Sequence, residues 1–426
     1  MFRGYLRLGG VALLFIIWPY FFALAEGVSF TLEEVISIGL RDNRSILLKE
    51  EEVKKAKAKI AESHAELFPL LTLSGGWART RNYYSKDLSQ SNAQISLRQY
   101  LYTGGRVFNT IKFNGYNFEI AKALLDKEKI ESALKIKNAF YTLILAQEFA
   151  SLNKQLLENG QEHLEYQLER QKFGEVPESV VLQSKSFLKS LEEAYEFSLN
   201  QVILAKESLV NLLYLDKDVK ISALGDIDYE EAEVALDLGL LKALEERPEI
   251  KQYAAQLQAD KSAIEIAKAS GRPDIYASWD YYSRSHTTTA LANTRGWNDH
   301  NVIGVNFSWP VFDGWKAKAK VEEAVFELKK TQLLKDKVIK DIILELKDAY
   351  LGLKDAIAKV KSNQAEIKVY ADNLRVATEK YDKGQLSLLD KRDAEVKYAV
   401  VMFNYKQAAY DYILAKAKFD KATGGI

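Results

Sequence analysis

Four short stretches of the chain alternate apolar and polar positions with a period of two. Ile275, Ala277, Trp279 and Tyr281 fall on one side of their segment, with Ser278 and Asp280 on the other. Ile303, Val305, Phe307 and Trp309 oppose Gly304, Asn306 and Ser308, and Ile95 and Leu97 oppose Gln94, Ser96 and Arg98. Leu71, Leu73 and Gly75 alternate with Thr72 and Ser74, and Trp77 follows. This pattern predicts strands at about 70–80, 92–101, 274–284 and 301–309, each with one apolar face. Aromatic residues gather near the strand ends, as in strands that face lipid on one side and water on the other. On that reading Trp279, Tyr281, Phe307 and Trp309 face lipid. A sheet lying on a soluble core gives the same alternation, so the strands alone leave both readings open. The polar stretches 80–91 and 285–301 predict long loops between paired strands.

The helical segments are of a different size. No proline interrupts residues 107–173 or 315–381. Each stretch of 67 residues spans about 100 Å as α-helix, far beyond what a globular domain uses. Ile130, Leu134, Tyr141, Leu145, Leu152 and Leu156 repeat every 11 residues, and Ile342, Leu346, Leu353 and Ile357 make one step of the same spacing. That period keeps a seam on a nearly straight helix. Gly174 and Gly384 break the two stretches, and return helices follow at 178–213 and 388–422. Shorter helices precede each strand pair. Thr31 with Glu34 makes a capping box, and a helix at 44–67 stops before Pro69. The later counterparts are 236–246 and a helix with Pro248 at its first position that stops near Pro273. End to end, the helices at 44–67 and 178–213 sum to about 90 Å and match one long helix.

The two sets of elements form two copies of one plan. Arg44 aligns with Pro248 and Pro69 with Pro273, at a separation of 204 residues. Gly105 aligns with Gly314 and Tyr141 with Tyr350 at 209, and Gly174 with Gly384 at 210. No single match carries weight, but their order does. A first repeat at 26–220 and a second at 221–426 follow. Before them, Arg3 and Arg7, the apolar residues 11–18 and the small residues Ala23 and Ala25 read as an export signal over 1–25. An uncleaved anchor is the competing reading, and Pro19 inside the apolar run opposes it. No later stretch has about 18 consecutive apolar residues, so no membrane-spanning helix is expected.

Composition removes other classes. Lys and Arg total 59, as do Asp and Glu, so nothing in the net charge attracts nucleic acid. The chain has no cysteine, which excludes disulfides, thiolate metal sites and a lipid-modified cysteine. The four histidines, His64, His163, His286 and His300, form no ligand-spaced pair, and no phosphate-binding or catalytic motif is present. No enzyme activity, cofactor or metal is expected. Four strands cannot close a barrel, which takes about eight. An exported sheet with two open edges must find partners, and three copies supply twelve strands.

The order of elements, the segment from Thr31 to Leu40, Tyr102 with Gly104, Gly105 and Arg106, and Trp309 to Gly314 together resemble the TolC-type outer-membrane efflux proteins. The resemblance covers nearly all of the chain after the signal. It implies a mainly α fold with a small β-barrel: a homotrimer with a 12-stranded outer-membrane barrel, continued by a long periplasmic α-helical barrel. It implies a passive exit duct of a Gram-negative bacterium, serving a tripartite efflux or type I secretion system. The partners would be outer-membrane lipid, a periplasmic adaptor and an inner-membrane pump, which would select the cargo. By the same resemblance Asp390 and Asp393 form carboxylate rings at a periplasmic gate in the helical turns. Tyr381, Gly384, Gly174 and Ser179 belong to that gate. Solvated acids at a helix start are the plainer reading of the two aspartates. Two positions depart from the family pattern: Leu386 replaces an arginine and Val180 an aspartate, both of which close the gate in the best-known member. Lys383, Glu175 and Glu178 are the candidate substitutes. The alternative function is a periplasmic coiled-coil adaptor or scaffold without a pore, which explains the helices but not the duplicated strand pairs.

Overall fold

The computed structural model describes residues 28–83, 86–215, 221–223, 225, 227, 229–232, 234–288 and 297–425. The expected export signal lies outside them. In chain order the elements are β1 (Val28–Phe30), α1 (Leu32–Asp42), α2 (Arg44–Ala65), β2 (Leu70–Tyr83), β3 (Lys86–Thr103), α3 (Arg106–Lys172) and α4 (Glu178–Leu213). There follow β4 (Ile221–Ala223), α5 (Leu236–Glu246), α6 (Pro248–Ala269), β5 (Asp274–Thr288), β6 (Trp297–Ser308), α7 (Lys316–Asp382) and α8 (Leu388–Ala422). The short helices have equal lengths in the two halves, 11 residues for α1 and α5 and 22 for α2 and α6. The two long helices, α3 and α7, have 67 residues each.

Local chemistry sets the boundaries. Thr31 accepts from the Glu34 backbone while the Glu34 carboxylate accepts from the Thr31 N–H, starting α1 with a complete capping box. Asn43 accepts from Ser45 N at 2.8 Å and starts α2. Helix α2 ends at Ala65, short of the expected residue 67. Phe68 precedes a proline and is biased away from helical torsions, and Leu67 and Phe68 close single turns onto His64 and Ala65.

A four-stranded antiparallel sheet has the order β2–β3–β5–β6. The first expected strand loop is not a loop. Strands β2 and β3 stay paired to Tyr83 and Lys86, through a bulge after Thr80. Backbone pairing needs no apolar face, so a polar sequence extends the hairpin where the alternation fades. The second is shorter than expected, with β5 paired as far as Thr288 and β6 starting at Trp297; residues 289–296 lie outside the described set. A second sheet pairs β1 and β4 in parallel. Three-residue strands are too short for a periodicity signal, and this link between the two halves was not expected.

Helix α3 packs along α2 and α4 on one course and along α6 and α8 on others, and α7 packs along α6 and α8. This multiplicity of neighbours changes the seam. Ile130 and Leu152 are buried, but Tyr141 and Leu145 are only partly so, and the deepest positions are Ile136, Phe140 and Leu143. A helix with several partners has more than one buried stripe, so one 11-residue repeat captures part of it. On α7, Ile342, Leu346 and Leu353 are buried as the spacing predicts. The core sits mid-length, where Val35, Phe140, Leu209 and Leu213 meet Leu346, Val360 and Tyr412 from the other half. The Tyr412 hydroxyl donates to Glu230 O at 2.6 Å and accepts from Ala232 N at 3.0 Å. Away from this belt the buried apolar residues are fewer and mostly smaller, such as Val107, Val181 and Ala259. On α7, Phe326, Leu333, Leu344 and Leu351 lie exposed.

Candidate functional site

The sheet register lines up one apolar row across all four strands, with shorter apolar rows beside it. Leu71 faces Leu97, Leu97 faces Trp279, and Trp279 faces Ile303. The next row runs Leu73, Ile95, Tyr281 and Asn301, and Ile275 faces Phe307. Trp279, Tyr281 and Phe307 thus share one face, although Trp279 and Tyr281 are half-covered by their neighbouring strands. Trp309 lies one residue beyond β6, and its indole N–H donates to Gly271 O at 3.2 Å. On this face Leu73 is 77% exposed, Ile303 82% and Val305 71%. Continuous apolar exposure of this kind marks a surface that meets a partner or a membrane. From Asn301 to Val311 the face extends about 25 Å for strands tilted by about 40°, the height of a lipid-facing band.

The opposite face is polar and internally bonded. Gln94 donates to Asp280 at 3.1 Å and Asn306 to Ser278 at 3.1 Å. Arg98 sits 4.8 Å from the Tyr276 ring centre, Arg284 4.9 Å from Tyr282, and Tyr282 stacks on His300 at 5.0 Å. Both outer strands, β2 and β6, have one unpaired edge within the protomer.

At the far end of the long helices the two halves build the same turn. Gly174 has φ 73° and Gly384 φ 70°, the left-handed region that a side chain disfavours. Gly174 N donates to Gln171 O and Glu175 N to Arg170 O, both at 2.9 Å. Gly384 N donates to Tyr381 O and Gln385 N to Lys380 O, both at 2.8 Å. This paired closure satisfies carbonyls that the helix end leaves open. The starts of the return helices differ. Pro177 caps α4 without a side-chain bond. Ser387 caps α8: its hydroxyl accepts from Asp390 N at 3.1 Å and donates to the Asp390 carboxylate at 2.6 Å. The counterpart of Asp390 in the first turn is Val180.

The structure therefore places the anticipated gate residues in two groups. Gly174 and exposed Ser179 lie at one turn, and Tyr381, Gly384, Asp390 and Asp393 at the other. Asp390 is engaged in the helix cap, and both it and Asp393 are exposed. Lys391 lies 5.0 Å from the Tyr381 ring centre, so that tyrosine is held within its own hairpin. Glu175 pairs with Arg170 at 3.0 Å, again within one hairpin. Lys406 on α8 pairs with Glu148 on α3 at 2.6 Å, and nearer the tips a second contact between the hairpins comes from a residue outside the expected gate. Arg392 on α8 donates to Asn159 Oδ1 on α3 at 2.9 Å and pairs with Glu162. Leu388, Leu389, His163 and Tyr166 line a small cleft beside it.

The profile of the family described as outer membrane efflux protein matches residues 35–213 and 240–425. The chain belongs to the outer membrane efflux protein family. No curated protein sequence matches it. Several solved channels share its fold. The CmeC outer membrane channel of Campylobacter jejuni is 19% identical, covering 92% of this chain and 85% of that one, with a TM-score of 0.77. The open state of the MtrE outer membrane channel of Neisseria gonorrhoeae is 17% identical over 92% and 89%, at 0.74. The outer membrane protein VceC of Vibrio cholerae is 17% identical over 92% and 96%, at 0.72. One sheet with an apolar and a polar face fits an outer-membrane exit duct of this family. The Arg392 bridge had one visible signal, a single arginine between Asp390 and Asp393. Its partners lie 230 to 233 positions away on another hairpin, beyond any local pattern.

Proposed function

We propose that three copies of this chain assemble into a passive duct, with the apolar sheet face in the lipid of a Gram-negative outer membrane and the long helices in the periplasm. The observation that carries this is the set of apolar rows on one face of a four-stranded sheet whose two edges are open. Pairing β6 of one protomer with β2 of the next removes every edge and closes twelve strands around the polar face. The exposed Phe326, Leu333 and Leu344 of α7 would then be covered by the neighbouring protomer. The chain is read as a signal over 1–25 and repeats over 26–220 and 221–426; the equal helix lengths and matching glycine turns support that division. Nothing in such a duct supplies energy or catalysis, so a periplasmic adaptor and an inner-membrane pump would deliver cargo to the helical tips.

The tips would form the gate, with Gly174, Ser179, Tyr381, Gly384, Asp390 and Asp393 at the constriction. Because Val180 and Leu386 remove two closing contacts of the best-known relative, closure would rest on Arg392 holding α8 against Asn159 and Glu162 of α3. Opening would swing the second hairpin away from the first about these contacts.

Membrane fractionation followed by native mass spectrometry tests the assembly. The expected result is an outer-membrane complex of three chains. A monomer confined to the soluble periplasm would overturn it and favour the pore-free adaptor.

A further inference from the structure

Below the sheet, on the second half only, the apolar face continues into a short aromatic and basic collar. Trp309, Val311, Phe312 and Trp315 follow β6 directly, and Phe312 is 77% exposed and Trp315 70%. Their rings meet edge to face at 6.3 Å. Trp315 has φ 68°, an uncommon torsion for a bulky residue. Lys316, Lys318 and Lys320 come next, all exposed, on the first turns of α7.

Among the described residues Lys316 and Lys320 have no acidic partner, whereas Lys318 lies 5.9 Å from the Trp315 ring centre and reaches only Glu322, at 3.9 Å. Other basic residues at this end of the helices face carboxylates: Lys59 pairs with Glu62 at 2.6 Å, Arg106 with Glu66 at 3.1 Å and Lys268 with Glu265 at 2.7 Å. Asp313, the nearest acid on the membrane side, is occupied by the Ala317 N–H at 2.7 Å. Cations in the first turn of a helix also oppose its dipole, so helix stability does not account for them.

We infer that this collar docks on anionic phospholipid headgroups of the membrane leaflet that faces the helices. The inference rests on the proposed barrel orientation. Continuity with the lipid-facing sheet puts Phe312 and Trp315, which lie beyond its apolar face, at headgroup depth, where an indole with its one polar edge settles. The Lys316 and Lys320 ammonium groups, one turn apart on one face of α7, then lie at the phosphate level, where each contributes roughly fivefold in preference for an anionic over a neutral headgroup. The corresponding junction of the first half also exposes aromatic residues, Tyr102 and Phe108, but its first helical turn has only the already paired Arg106 in place of the lysines. The contact would thus fix three points around a trimer and set the depth of the barrel without a lipid-modified cysteine.

The test reconstitutes the full-length protein into vesicles of equal phosphatidylcholine and phosphatidylglycerol, then extracts it and measures the lipids retained. Wild type should retain phosphatidylglycerol well above its bulk fraction, and the excess should fall at high salt as screening shortens to a few ångströms. The triple variant Lys316→Gln, Lys318→Gln, Lys320→Gln should retain lipid at the bulk ratio while still inserting. Conductance recorded on the same vesicles separates the two levels. A conducting wild type with no phosphatidylglycerol excess overturns the collar alone, as does a triple variant that keeps the excess. Protein that neither inserts nor conducts overturns the barrel orientation and the collar with it. If the triple variant fails to insert, the salt response of wild-type retention decides.

Discussion

Arg392 ties the two hairpins together, and Arg247 ties the start of α6 to α7. Arg392 is half-exposed, and a bridge of this kind contributes about 1 kcal/mol. Three acting together in a trimer shift a closed–open equilibrium by about 3 kcal/mol, on the order of a hundredfold. Arg392→Ala should therefore raise the open probability of single channels by up to about that factor. Arg392→Glu with Glu162→Arg should restore closure; if the swap leaves the channel as open as the single change, the bridge is not the latch. Asp390 and Asp393 make a separate claim. If they form rings on the axis, divalent cations should block current from the helical end, and replacing both by alanine should abolish the block. An unchanged block would make them ordinary helix-cap acids, a role the Ser387 hydrogen bonds already give Asp390. Arg247 works in the core belt. It is 3% exposed and pairs with Glu345 at 2.6 Å and Glu249 at 3.2 Å, and Lys421 approaches Glu345 at 3.2 Å. Burial alone would raise the Glu345 carboxyl, but Arg247 and Lys421 outweigh it and hold it below its ordinary value of 4.5. A depressed carboxylate contributes stability above its ordinary value and loses it as pH falls through the lowered one. Thermal melts should thus decline with acidification below about pH 4.5, and Glu345→Gln should flatten part of that decline. Arg247→Ala should destabilise by about 2 kcal/mol.

At the scale of elements, much was legible because each has a local cause. The return helices begin at Glu178 and Leu388 and end at Leu213 and Ala422, where the sequence placed them, because glycine turns and caps fix their ends. The strands were placed but drawn short. Period-two alternation reads the apolar band and stops where both faces become polar, although β2 and β3 continue to Tyr83 and Lys86. The β1–β4 pair and the Arg392 bridge were not legible, since each depends on two segments about 190 or more residues apart. Phe307 carries the element-scale prediction. It faces Ile275 and lies 63% exposed on the apolar side. Phe307→Arg should cost about 2–4 kcal/mol if that side meets lipid near the membrane centre, and trimer yield in the outer membrane should drop sharply. Wild-type yield would mean that this side of β6 faces water.

For the whole molecule, the proposed trimer makes the protomer one third of an object. Its main buried cluster lies in the mid-length belt, while the sheet has open edges and one flank of α7 exposes a row of large apolar residues. Closing the edges and covering that flank are satisfied together by rotation about one axis. The same rotation brings the three polar sheet faces around a common lumen and the six hairpin tips around a common mouth. Single-channel recording of the purified wild-type complex in a planar bilayer tests this claim most directly. The account predicts discrete ohmic current steps without any nucleotide or pump, with the conductance limited from the helical end. A purified outer-membrane complex that gives no steps, either as wild type or with the latch removed by Arg392→Ala, would contradict it.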